Sequence, residues 1–187
     1  MTKITELHFT DNTGANRLLA ENPLALLIGM LLDQQVTMEM AFRSPERLQT
    51  RLGGNLDARR IAETDPEALD AIFREQPALH RYPANMAKRT QTLCEFIVER
   101  YGGDTAQIWT SAADGKDLYK RLRELPGFGD AKARVFVGVL GKRLGVAPAG
   151  WKSEAADWAS IADVAEFEDI QVIREAKRAA KAKAKAK

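Results

Sequence analysis

Leu125-Pro126-Gly127-Phe128-Gly129-Asp130-Ala131-Lys132-Ala133 decides the fold of this chain, because it reads as a tight hairpin between two helices. In the helix read from Asp117 to Glu124, Leu118 and Leu122 lead at helical spacing to Leu125; beyond the turn Ala131, Val135, Val139 and Leu140 resume the pattern. Pro126 and the two glycines interrupt the run. Gly127 and Gly129 are both expected to take positive φ and, without side chains, to let the backbone N–H groups around Phe128 and Gly129 approach a ligand closely. With the second helix opening at about Asp130, those amides lie at a helix N-terminus, where the dipole favours an anion such as a phosphate. A turn that only stops one helix and starts another would use the same residue types.

Charge separates the two readings. Between Lys116 and Arg143 stand eight basic residues, Lys116, Lys120, Arg121, Arg123, Lys132, Arg134, Lys142 and Arg143, against Asp117, Glu124 and Asp130, a local +5. The whole chain carries only +2, and the segment Arg174–Lys187 alone holds seven basic residues against Glu175, so residues 1–173 carry −4. Affinity for a polyanion must therefore come from the hairpin and the tail rather than from bulk charge. DNA is the favoured partner.

Outward from the hairpin the chain reads as helical throughout. Asn22-Pro23 is an N-cap followed by a first helical residue, and the helix it opens, with Leu24 to Leu32 apolar on every side, is the expected buried centre. That helix runs into Asp33-Gln34-Gln35, whose amides either face a cleft and its bases or merely cap the helix end. Further helices are expected from Ser44-Pro45-Glu46 to Gly53-Gly54, from Thr64-Asp65-Pro66-Glu67, and from the loop Leu79–Lys88 through Tyr101. His80, Tyr82 and Lys88 either line a site or belong to a surface loop, the preferred reading, and Arg174–Lys187 is read as a disordered basic tail. No stretch of five residues alternates cleanly enough to demand a strand.

The totals exclude several classes. The longest apolar run, Leu24–Leu32, is about half the roughly 20 residues that span a bilayer, so no membrane partner is expected. Met1-Thr2-Lys3-Ile4 lacks a signal-peptide build, and a cytoplasmic, nucleoid-associated location is expected. One cysteine, Cys94, and two histidines, His8 and His80, supply neither an iron–sulfur cluster nor a histidine metal site. The only cation the reading admits is a monovalent one at the hairpin.

Leu125-Pro126-Gly127-Phe128-Gly129 followed by Ala133 resembles the hairpin signature of the helix-hairpin-helix (HhH-GPD) DNA glycosylases of the endonuclease III type, and Leu31-Leu32-Asp33-Gln34-Gln35-Val36-Thr37 resembles that family's early helix ending in a glutamine. The likeness runs loosely from about residue 20 to 145. It implies an all-α, two-lobed fold over residues 1–173, with duplex DNA across the cleft, a damaged nucleotide flipped out and its N-glycosidic bond cleaved by a monomer. Gln35 takes the place of the side chain that fills the gap, and Gly127, Phe128, Gly129, Ala131 and Lys132 take the DNA-contacting places.

At the chemistry the chain departs from that family. Members that also nick DNA carry a lysine two residues after the second hairpin glycine, where this chain has Ala131; Lys132 follows one place later, rotated by about 100° on a helix. The family's essential aspartate would fall at Pro148-Ala149-Gly150-Trp151, which has no carboxylate, leaving Glu154 and Asp157 as neighbours that a shifted loop could bring in. The catalytic candidates are thus Lys132, Glu154 and Asp157, and a hydrolytic glycosylase without lyase activity is expected. The alternatives are a non-enzymatic DNA lesion or structure binder on the same scaffold, and a helical partner-binding protein whose hairpin is only a turn.

Overall fold

In the computed structural model, which describes residues 4–185, eleven α-helices and one 3-10 turn carry the chain, with no strand among the described residues. Helices α1 (Thr13–Glu21), α2 (Pro23–Leu32) and α3 (Met38–Arg51) precede α4 (Ala58–Glu63), α5 (Pro66–Arg74) and α6 (Pro83–Tyr101). Then α7 (Gln107–Thr110) leads to the hairpin helices α8 (Gly115–Glu124) and α9 (Asp130–Arg143). α10 (Trp151–Glu154), the 3-10 turn Ile161–Asp163 and α11 (Asp169–Lys185) follow. Among the described residues no helix is long and apolar enough to cross a membrane.

Helix α2 is the centre that its composition demands. The Asn22 side chain accepts the Ala25 N–H at 3.1 Å, Pro23 occupies the first turn, and every residue from Leu24 to Leu32 is buried. Gly29 allows α3 to come close, since a Cβ there would stand 2.7 Å from the Phe42 ring. One group of helices forms around α2, with α1 on α2 and α3, and with α4 and α5 on α6. A second group comprises α8, α9, α10 and the 3-10 turn. Both share one core, in which Trp109 meets Phe136 edge-on at 5.9 Å. The all-α reading stands.

Three local expectations change. Helix α3 starts at Met38 rather than near Ser44, and Pro45 lies inside it. Thr37 caps it by accepting the Met40 N–H, and burial of Met38, Ala41 and Phe42 outweighs the hydrogen bond that proline forfeits. Helix α4, capped by Asp57, has no counterpart in the sequence reading. The basic tail is helical as far as Lys185, not disordered, because Ile170 and Ile173 are buried and Arg174 forms an ion pair with Glu39. The helix runs through the 173/174 boundary without a break.

Candidate nucleic-acid interface

The hairpin sits on the end of α2. Gly127 has φ +86°, and a Cβ there would stand 2.5 Å from Leu31 Cδ1, so both the backbone conformation and the contact require glycine. Gly129 does not have the positive φ expected of it: at φ −78° and ψ 177° it is extended, with nothing within 4 Å of where a Cβ would lie. The turn closes instead through the Phe128 N–H, which donates to Leu125 O at 3.0 Å. Phe128 is a core residue, its ring buried against Phe136 at 6.2 Å, and it offers no side chain to a ligand.

Helix α9 then begins with no side-chain cap. The first amide of this stretch to find a backbone acceptor is Ala133 N–H, on Gly129 O at 3.0 Å, which leaves those of Asp130, Ala131 and Lys132 pointing out of the helix end. Gly129, Asp130 and Ala131 are exposed. The Asp130 carboxylate stands beside them, held below the usual range by hydrogen bonds from the Tyr119 hydroxyl and Arg134.

Much of the local +5 is spent inside the molecule. Arg121 pairs with Asp117 at 2.9 Å, Arg134 with Asp130 at 3.2 Å and Lys142 with Asp163 at 2.6 Å, while Arg143 donates to Val164 O. Lys116, Lys120 and Arg123 are exposed and make no ion pair among the described residues. Their spacing of four and three places them on one face of α8, as a row that ends at the hairpin.

Lys132 faces the end of α2, contrary to the doubt its register raised. Its Nζ donates to Leu31 O at 2.9 Å and lies 5.7 Å from the Phe128 ring centre. Burial pushes the ammonium down to about 8, opposed by Asp33 and reinforced by Arg89. Burial likewise pushes the Asp33 carboxyl up, while Lys177 and Lys132 pull it back and Glu39 adds to the rise. Asp33 and Lys132 feel one another without forming an ion pair.

The adjoining residues complete a polar cleft. Gln34 donates through Nε2 to Leu31 O at 3.0 Å and accepts from Arg89 at 3.3 Å. Gln35 is exposed and sits at φ +58°, a left-handed conformation that costs a non-glycine residue roughly 1–2 kcal/mol. His80 is buried, not a surface-loop residue: Nε2 donates to Gln34 O at 3.0 Å and Nδ1 accepts the Tyr82 N–H at 3.0 Å. Burial lowers its pKa, and the Tyr82 N–H aimed at Nδ1 keeps the ring neutral. Gln34, Gln35, His80, Tyr82, Met86 and Arg89 line the resulting cavity, while Lys88 is exposed.

The other two catalytic candidates lie elsewhere in the contact map. Glu154 is half-buried and uses its carbonyl to accept from Arg134, and Asp157 is exposed. Neither carboxylate is hydrogen-bonded or paired to a cleft residue among the described residues. Their segment is clamped onto the hairpin helices: Gly115 N–H donates to Ala149 O at 2.8 Å, and the Trp151 ring lies over Gly141, 2.3 Å from where a Cβ would be. Asp33 is the carboxylate that the fold brings to Lys132, and only its place in the triplet before Gln35 marked it in the sequence. No three His, Cys, Asp or Glu side chains gather as a metal site among the described residues.

Helix-terminal amides at a glycine hairpin, a row of unpaired cations leading to them and a polar cleft beside them define a helical protein that binds a nucleic-acid backbone. The model of the HhH-GPD superfamily of base excision DNA repair proteins matches residues 28–187, and the chain belongs to that superfamily. DNA binding follows from that membership. No curated protein matches the chain.

Proposed function

We propose that the protein is a DNA glycosylase that acts as a monomer on duplex DNA and hydrolyses the N-glycosidic bond of a damaged, flipped nucleotide. The observation that carries this reading is the seating of Lys132 Nζ on Leu31 O at 2.9 Å, two residues before Asp33, where α2 ends against the hairpin. The hairpin amides and the row Lys116, Lys120 and Arg123 take the phosphates, and Gln35, presented outward by its left-handed backbone, fills the gap left by the flipped base.

Asp33 supplies the negative charge for the sugar as it becomes an oxocarbenium ion, and orients a water. The bond from C1′ to the base nitrogen breaks, its electron pair leaves with the base, the water oxygen bonds to C1′, and the water's proton passes by way of Asp33 to solvent. Burial pushes the Asp33 carboxyl up, and Lys177 and Lys132 oppose that rise. The test is single-turnover base release from duplexes carrying deaminated, oxidised or alkylated bases, with enzyme in excess. Release that is lost in Asp33→Asn supports the reading; no release from any duplex, with binding to an abasic-site analogue retained, makes the protein a non-enzymatic lesion binder.

A second reading has one observation behind it. Lys132 Nζ stands at the end of α2 beside the cleft and is held at about 8, so roughly a tenth of the amine is unprotonated at pH 7; in this reading it attacks C1′ itself, expelling the base and leaving a Schiff base after ring opening.

A further inference from the structure

The C-terminal helix enters this reading only through Lys177. Its start is fixed by Ile170 and Ile173 in the core and by Asp169, whose carboxylate accepts the N–H groups of Ala165 and Glu166 at 2.9 and 3.0 Å. One turn on, Arg174 pairs with Glu39 in the first turn of α3. Past that point α11 is exposed and runs beside the 33–38 loop. Arg174, Lys177, Arg178 and Lys181 form one wall of an open groove whose other wall is that loop, the one that carries Gln35.

The charges of this groove are unbalanced. Glu39 is taken by Arg174, and Asp33 feels Lys177 of α11 as well as Lys132 of the hairpin helix. Lys177, Arg178 and Lys181 make no ion pair among the described residues. From residue 174 to 181 the helix rises roughly 10 Å, about three base-pair steps along the axis of a duplex. With Arg174 taken by Glu39, the three unpaired cations Lys177, Arg178 and Lys181 stand along that length.

We propose that α11 is a second DNA-backbone contact, which grips the strand passing the Gln35 loop in fixed register with the cleft. This inference rests on the DNA-binding reading. A tail without structure would attract DNA anywhere along its length, whereas a helix pinned by Ile170, Ile173 and the Arg174–Glu39 pair holds its cations at one distance from the flipped nucleotide.

The experiment uses the full chain with Lys181→Cys bearing a photo-crosslinker; Lys181 is exposed and the one native thiol, Cys94, is buried, so the label goes to one site. The probe is a duplex with a single abasic-site analogue. Crosslinks confined to a few nucleotides on one strand next to the analogue are expected, and Glu39→Gln, which releases Arg174, should scatter them. Arg178→Gln with Lys181→Gln should lower the slope of log affinity against log salt by about 1.8. Crosslinks scattered along both strands in the Glu39 protein, or none while anisotropy still reports duplex binding, overturn the role of α11 and leave the DNA reading intact. An absence of duplex binding at low salt overturns both.

Discussion

Lys132 Nζ donates to the carbonyl oxygen of Leu31 at 2.9 Å, and the side chain of the same leucine packs under Gly127. The last turn of the buried helix therefore holds the hairpin twice, by its side chain and by a carbonyl at the negative end of the helix dipole. Gln34 Nε2 shares that carbonyl at 3.0 Å, so hairpin, α2 and the Gln34–Gln35 loop meet at one atom. The positions of Asp33 and Gln35 follow from this junction.

Borohydride separates the two roles open to Lys132. In the hydrolytic reading no covalent DNA adduct forms, base release is flat as pH passes about 8, and Lys132→Met moves the acid limb of the rate to higher pH because Asp33 loses a supporting cation. In the amine reading an adduct is trapped, disappears in Lys132→Met, and the rate rises through about 8 as the ammonium deprotonates.

Asp33→Asn keeps shape and removes charge. Base release should drop by about 10²–10³, the scale expected when one preorganised electrostatic group is removed at a transition state. Affinity for the abasic-site analogue, read by anisotropy, should change little, because the proposed phosphate contacts are on the hairpin and α11 and not on Asp33. A loss of both together would make Asp33 a structural cap of α2.

The two hairpin glycines should behave differently. Gly127→Ala meets Leu31 and an unfavourable φ, so urea melts should show a loss of about 1–3 kcal/mol, and the displaced hairpin should weaken DNA binding. Gly129→Ala has an ordinary φ and open space, so stability should stay within about 0.5 kcal/mol, while the added methyl stands where a phosphate approaches the amides and raises the duplex Kd.

His80 supplies a pH dependence of stability. Its folded pKa lies below the ordinary value near 6.5, so on acidification the unfolded chain binds the proton first. Stability is full above about 6.5 and falls as pH drops below it. Thermal melts from pH 7.5 to 5 should show this slope, and His80→Gln should flatten it.

The helix-hairpin-helix and the buried α2 are legible from the residues alone. Their signals are local: Pro and Gly punctuate, apolar residues recur at helical spacing, and a helix apolar on every face has no stable place except the core. The cap at Asn22 is legible for the same reason, because a capping side chain acts on amides two or three residues away.

What only the tertiary structure decided concerns partners far apart in the chain. Pro45 sits within a helix because α3 packs on α2, and the Lys-Ala tail is helical because Ile170, Ile173 and the Arg174–Glu39 pair hold it. Of eight hairpin cations only Lys116, Lys120 and Arg123 stay unpaired and exposed, which no count of charges reveals. Lys132, one residue out of the family register, meets a carbonyl 101 positions earlier, and Asp33 rather than Glu154 or Asp157 is the carboxylate whose charge acts on it. A hydrogen bond or a desolvated charge depends on distance in space, and the spacing of residues along the chain does not carry that distance.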